Sequence, residues 1–221
     1  LCSGRRAGSG PLAAGAIRRS PVQLPFYFDY ACPWAYLGSC RVEPYFRDLG
    51  VEIDLRPVSL RVLYEPSADG APMPKQGPRK LRNQANDLRH WAEMIGAELA
   101  VNQPKERPDT SLLLRAALVA KDAGRLREFH YPAYRARWAE ARDVADPAVV
   151  RALLEGAGLD AAAALARAGS PELVARLESE SQAAVARGVF GVPTIFVGDE
   201  MFWGNDRFEL VRYYVQKVAA R

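Results

Sequence analysis

Apolar and polar positions alternate with two different periods along this chain, and the switch between them divides it into elements. Leu24 to Tyr30 is a nearly unbroken apolar run, the pattern of a short strand buried on both faces. Pro33 to Leu49 follows with helical spacing and stops at Gly50, a residue suited to the left-handed turn that ends a helix. From Val51 to Val58 the period drops to two, which predicts a second strand beside the first. The opening is therefore a β-α-β unit.

After a Pro-rich stretch from Tyr64 to Lys80, helical patterns dominate. Leu81 to Ile95 sets Leu88, Trp91 and Ile95 on one face and stops at Gly96. Thr110 to Ala123 and Arg127 to Ala141 follow, and His130 in Phe-His-Tyr-Pro reads as a helix boundary because of the proline after it. Three helix starts come next, at Asp146-Pro147, Asp160 and Ser170-Pro171-Glu172, each with a side-chain oxygen ahead of the first turn. The period then returns to that of strands. Thr194 to Val197 is β-branched and apolar, Gly198-Asp199-Glu200 turns, and Met201 to Trp203 pairs back as a hairpin. Asp206 to Ala219 closes the chain as a helix.

A strand-helix-strand beginning and a strand-strand-helix end thus flank a long helical segment. The fold class this predicts is α/β, a thioredoxin-like fold with a large all-helical insertion. The expected division is a tail at 1–23, a thioredoxin-like domain from 24–64 and 188–221, and a helical insertion domain at 65–187.

Composition narrows the function. The chain has 221 residues, 49% hydrophobic and 25% charged, as in ordinary globular proteins. Its formal charge of +4 invites a nucleic-acid reading, but Arg5, Arg6, Arg18 and Arg19 lie in the tail, where no acid precedes Asp29. Elsewhere the two signs are interspersed, so no nucleic-acid partner is expected. No apolar run is long enough to span a bilayer, so no membrane partner is expected either. Residues 1–23, rich in Gly, Ala, Ser, Pro and Arg, read as a disordered or leader tail, and their Arg-rich, acid-free character also fits an organellar leader.

Three cysteines, Cys2, Cys32 and Cys40, do not make a disulfide framework. Cys32 and Cys40 fall on one predicted helix, roughly 12 Å apart along its axis, too far to bridge. With only His90 and His130 besides, no metal-ligand spacing exists. The expected compartment is reducing and cytoplasmic. Cys40 reads as a small core residue, and His90 as a surface or helix-end residue.

Cys32 is different. It sits with Pro33 where a strand ends and a helix begins, and the unpaired N–H groups and partial positive charge of a helix N-terminus favour a thiolate. Position 35 is Ala, so the Cys-x-x-Cys of a dithiol redox enzyme is broken. Val192-Pro193-Thr194, just ahead of the hairpin, has the form of the cis-proline that thioredoxin-like proteins hold opposite such a corner. Val192 could then offer its backbone groups to an extended thiol peptide.

Phe28 to Gly38, Asn86-Asp87-Leu88, Gly188 to Thr194 and Phe202-Trp203-Gly204-Asn205-Asp206-Arg207 together resemble the 2-hydroxychromene-2-carboxylate isomerase family, relatives of the kappa-class glutathione transferases in the DsbA-like branch of the thioredoxin fold. The resemblance covers about residues 24 to 220. It implies a cofactor, glutathione, with Cys32 at the position of a catalytic Ser that hydrogen-bonds the glutathione thiolate. Pro33 and Trp34 would flank it, Val192 and Pro193 would hold the cysteinyl backbone, and Asn205 and Asp206 would bind the γ-glutamyl end. The family's Asn in the Pro-rich loop has Asp69 or Gly70 as its nearest counterpart. Its reaction is a reversible addition of glutathione to a conjugated double bond, rotation, and release, so the expected partner is a small-molecule aromatic electrophile. Trp34, Tyr36, Tyr64 and Trp203 are the expected pocket walls, core packing being the alternative for each. Relatives of this kind are commonly dimers.

Cys in place of Ser leaves two other readings open. One is a DsbA-like monothiol disulfide oxidoreductase acting through Cys32 with glutathione as the resolving thiol. The other is a glutathione-binding module without turnover.

Overall fold

The computed structural model of the chain describes residues 22–64, 77–101 and 108–219. Cys2, Asp69 and Gly70 lie outside them. Strand β1 (Gln23–Phe28) leads into helix α1 (Pro33–Phe46), a 3₁₀ turn (Arg47–Leu49) and β2 (Glu52–Pro57). Helices α2 (Leu60–Leu63), α3 (Pro78–Ile95), α4 (Ser111–Asp122), α5 (Leu126–Trp138), α6 (Pro147–Gly156), α7 (Ala161–Ala168) and α8 (Pro171–Ala186) come next. The hairpin β3 (Thr194–Val197) and β4 (Glu200–Trp203), a 3₁₀ turn (Asn205–Arg207) and α9 (Phe208–Ala219) complete the described chain.

The four strands form one mixed sheet in the order β2-β1-β3-β4. β1 runs parallel to β2, with Phe26 opposite Leu55, and antiparallel to β3, with Phe26 opposite Ile195. Central β1 is buried from Leu24 to Phe28, as its unbroken apolar run requires, whereas β2 alternates. α9 packs on β3, α4 on β2, and α1 contacts α3, α5 and α9. One apolar core runs through sheet and helices alike, with Phe26, Phe28, Phe129, Tyr134, Phe196 and Phe208 among its largest buried side chains.

The helix starts at Asp146, Asp160 and Ser170 are capped as the sequence implies: the Asp146 carboxylate accepts from Ala148 N, Asp160 from Ala162 N and Ala163 N, and Ser170 Oγ from Leu173 N. Three expectations need correction. His130 is no helix boundary, because α5 runs straight through Pro132. The proline costs one helical hydrogen bond, and a face made by Leu126, Phe129, His130, Ala133 and Tyr134, all buried, outweighs it. Cys40 is exposed on the outer side of α1 and is not a core residue. The closing helix begins at Phe208, since Asn205 to Arg207 wind more tightly first.

Candidate functional site

The corner after β1 is fixed by one buried acid. Asp29 is 2% exposed, and its carboxylate accepts from Ala31 N (2.9 Å), Leu60 N (2.8 Å) and Thr110 Oγ1 (2.7 Å). Its backbone oxygen accepts from Cys32 N and from Tyr134 Oη, both at 3.0 Å. A buried carboxylate is tolerated only when its oxygens are supplied with donors, and here those donors come from the corner itself, from α2 and from the N-terminus of α4. The position of Cys32 is thereby tied to the helical segment as well as to the sheet.

Cys32 is the N-cap of α1, extended at φ −100° and ψ 116°, with Pro33 in the first helical position. Its side chain does not cap the helix. The Sγ–H instead donates to the carbonyl oxygen of Val192 at 3.1 Å, and Cys32 is 8% exposed. That bond exists only while the sulfur carries its proton. Val192-Pro193 is a cis peptide, as the motif predicts. α1 lies against it at Gly38, where a Cβ would come within 3.3 Å of both Pro193 and Phe26, so the helix approaches the proline closely because position 38 has no side chain.

From Pro193 the site extends to the end of the hairpin. The Pro193 carbonyl accepts from Gly204 N at 2.9 Å, and Gly204 adopts φ +114°, a conformation open to glycine and closed to side chains that would collide with Asp206. The turn thus presents Asn205 and Asp206 beside Trp203. Asn205 is 4% exposed, and its Nδ2 has no hydrogen-bond partner. The backbone oxygen of Asn205 accepts from Arg41 Nη1 at 3.0 Å, while the Arg41 guanidinium stacks 4.9 Å from the Trp91 ring and 5.0 Å from that of Phe208. Arg41 therefore clamps α1, α3 and the Asn205 turn together.

Between these elements lies a cleft of about 290 Å³, lined by Trp34, Asp87, Trp91, Trp203 and Gly204 to Arg207. Three tryptophans make its walls apolar. Asp87, held by Asn83 Nδ2 at 2.8 Å, and Asp206, paired with Arg207 at 3.5 Å, bring carboxylates to it. A larger cleft of about 580 Å³ lies at the opposite ends of β1 and β2, around Gln23, Glu52 and Arg127, away from Cys32. Among the described residues no group of three or more His, Cys, Asp or Glu could hold a metal ion.

The structure brings Trp34, Trp203, Asn205 and Asp206 into one cleft and sets Cys32 beside Val192 and Pro193. The other two expected wall residues are elsewhere. Tyr36 is a core residue, 3% exposed, its ring 5.7 Å from that of Tyr134 and its Oη donating to the carbonyl of Glu98 at 2.8 Å. Burial pushes its phenol pKa well up. Tyr64 ends α2 and does not line the cleft. Asp87, Trp91 and Arg207 line it as well; Asp87 and Arg207 belong to the motifs that carry the family resemblance, whereas Trp91 is expected only on the apolar face of its helix. Asp87 and Trp91 are four residues apart on α3, the spacing that puts two side chains on one helix face.

His130 ties α5 to α1 and to the residue that follows the β1 corner. It is fully buried, within 3.0 Å of Ser39 Oγ and 3.4 Å of Tyr30 Oη. Burial, with a smaller contribution from Arg127, lowers its pKa to about 3, so the ring is neutral at physiological pH.

The chain is similar in sequence and fold to known proteins. The DSBA-like thioredoxin domain family model matches residues 23–216. A 2-hydroxychromene-2-carboxylate isomerase from Pseudomonas sp. (strain C18) is 31% identical over 84% of this chain and 86% of its own. Human glutathione S-transferase kappa 1 is 24% identical over 87% and 90%. Among solved structures, a 2-hydroxychromene-2-carboxylate isomerase superposes with a TM-score of 0.74 at 27% identity, covering 89% of this chain and 96% of that one. The chain belongs to the DSBA-like thioredoxin family and, within it, to the 2-hydroxychromene-2-carboxylate isomerase family.

Proposed function

We propose that this member of the family binds glutathione in the tryptophan-lined cleft and catalyses a glutathione-dependent isomerisation of a conjugated aromatic acid of the 2-hydroxychromene-2-carboxylate type. The observation that carries the reading is Asn205, which lines a cleft that opens beside the Cys32 corner and whose buried Nδ2 has no partner. Leaving such a donor unpaired costs about 1–3 kcal/mol, which a ligand carboxylate would recover. The names of the relatives support glutathione as the thiol and isomerisation as the reaction.

In this reading Asn205 and the N–H groups of its turn receive the γ-glutamyl carboxylate, and Asp206, with Asp87 across the cleft, receives the ammonium. The Val192 carbonyl accepts from the cysteinyl N–H, which releases Cys32 Sγ–H from its present bond. Cys32 then donates to the glutathione sulfur, as Ser does in the family, and holds it as a thiolate. Glutathione supplies the nucleophile: the S–C bond forms as the conjugated double bond breaks, the electron pair moves to the carbonyl oxygen, and the same bonds reverse after rotation, with no net oxidation. Trp34 and Trp203 form the apolar side against which the aromatic substrate lies. Helix α3, which contributes Trp91 and Asp87, completes the cleft.

A titration of glutathione followed by tryptophan fluorescence tests the binding. Saturable quenching is expected, shifted to about tenfold higher glutathione in Asn205→Ala, and an unchanged Asn205→Ala titration sinks the reading. Cys32 itself favours a second reading, a monothiol disulfide oxidoreductase, because a thiol stands where the family has a hydroxyl. Incubation with oxidised glutathione and mass spectrometry separates the two, a stable adduct on Cys32 favouring the redox reading.

A further inference from the structure

On the other side of the sheet, two guanidiniums converge on the oxygen of one phenol. Tyr27 is 4% exposed, and its phenolic oxygen accepts from Arg56 Nη1 at 3.2 Å and from Arg187 Nη1 at 3.5 Å. The phenol's own proton has no acceptor among the described residues. The two guanidiniums differ in how they are balanced. Arg56 has Asp54 at 2.6 Å, but Lys121 shares that carboxylate at 2.8 Å. Arg187 has no carboxylate partner among the described residues. It stacks 3.8 Å above the Phe196 ring and donates once more, to the Gly198 carbonyl at 2.8 Å, which leaves other donors of its guanidinium unused.

These groups line a cleft of about 410 Å³ between β1, β2, α4 and α8. Arg176 also lines it but is paired with Asp122 and Glu180, so the excess of positive charge is that of Arg56, Lys121 and Arg187 against Asp54. Two like charges held on one oxygen repel each other unless an anion lies between them. Arg187, an exposed residue, is held in place by Phe196 and Gly198 rather than by an ion pair, which leaves its remaining donors open to solvent or to a ligand.

We propose that the Tyr27–Arg56–Arg187 cluster is a binding site for a tetrahedral oxyanion, a phosphate or the phosphoryl group of a small ester. Guanidinium forks suit phosphate oxygens, and donors converging from three side chains match an anion with oxygens in several directions better than a planar carboxylate. The site is separate from the Cys32 cleft and shares no residue with it.

Isothermal titration of the full chain with inorganic phosphate, at ionic strength held constant with chloride, tests this. Saturable binding of one equivalent is expected, weakened tenfold or more by Arg187→Gln and by a smaller factor in Tyr27→Phe. Glycerol 3-phosphate in a parallel titration distinguishes the sources: tighter binding assigns the site to an ester, equal binding to the free ion. No saturable heat with either, or binding undiminished in Arg187→Gln, overturns the proposal. Should Arg187→Gln fail to fold, Arg56→Gln is read by the same criteria.

Discussion

The sulfur of Cys32 donates its proton to the carbonyl oxygen of Val192 at 3.1 Å, across 160 residues of sequence. This contact joins the two halves of the site, the start of α1 and the cis-proline loop. It also occupies the backbone acceptor that a thiol peptide would use. Replacing Cys32 by Ser keeps a donor at the same place. Cys32→Ser is therefore expected to retain glutathione affinity within about threefold and to keep or raise isomerase turnover, whereas Cys32→Ala lowers turnover by about 10²-fold or more with the fold intact. Steady-state kinetics on the two variants check this, and a Ser variant as inactive as the Ala variant would count against Cys32 acting as a hydroxyl equivalent.

Asn205 predicts opposite effects on binding and on stability. Its unpartnered Nδ2 is a cost to the free protein, so Asn205→Ala should keep or raise the melting temperature. Glutathione affinity should fall about tenfold, or about 1.4 kcal/mol. Thermal melts with and without glutathione measure both numbers in one experiment. A variant destabilised alone, with unchanged affinity, would make Asn205 a structural residue.

Gly204 holds the turn that presents Asn205. At φ +114°, Gly204→Ala brings backbone strain and a collision with the Asp206 carboxylate. The expected cost is about 1–3 kcal/mol of stability, with weaker glutathione binding because Asp206 must move. Denaturant unfolding at equilibrium tests the first part, and a stability unchanged within error would show that the turn can relax.

The pH dependence of stability follows from His130. Its folded pKa of about 3 lies below the ordinary value of 6.5, so the fold favours the neutral ring. The stability this contributes is fully present above about pH 6.5 and is lost as pH falls toward 3, by up to about 3–5 kcal/mol. The carboxylates of Asp54 and Asp122, held below the ordinary range by Lys121 and Arg56 and by Arg176 and Arg167 against the opposing effect of burial, protonate only toward the acid end of that window. His130→Gln should therefore flatten the slope between about pH 6.5 and 4.5 and leave the steeper loss below it. Urea midpoints across that range give the answer, and an unchanged slope would assign the acid sensitivity to other groups.

How much of this was legible in the sequence depends on the range of the interaction. The elements were, because strand alternation, the Asp146, Asp160 and Ser170 caps and the glycine stops are local signals. Cys32-Pro33 and Val192-Pro193 are recognisable as motifs, whereas the pairing of β1 with β3 that completes the strand order is a long-range contact and is not. His130 was misjudged because a proline two residues on is a local warning, while the buried face that overrides it comes from α1 and β1 packing against α5. Tyr36 and Trp34 sit two residues apart near the start of α1, yet one points into the core and the other into the cleft. The hydrophobic pattern of α1 alone does not separate them. Nor could the Tyr27–Arg56–Arg187 convergence be read, since it depends on three segments meeting at one oxygen.

The central claim is a glutathione-dependent isomerisation at the Cys32 corner. Its most direct test is conversion of 2-hydroxychromene-2-carboxylate by the purified protein, followed by absorbance with glutathione present and absent. The account predicts turnover that requires glutathione, saturates with it, and falls in Asn205→Ala through a higher glutathione requirement. Turnover at the same rate without glutathione, or none with it, would contradict the account.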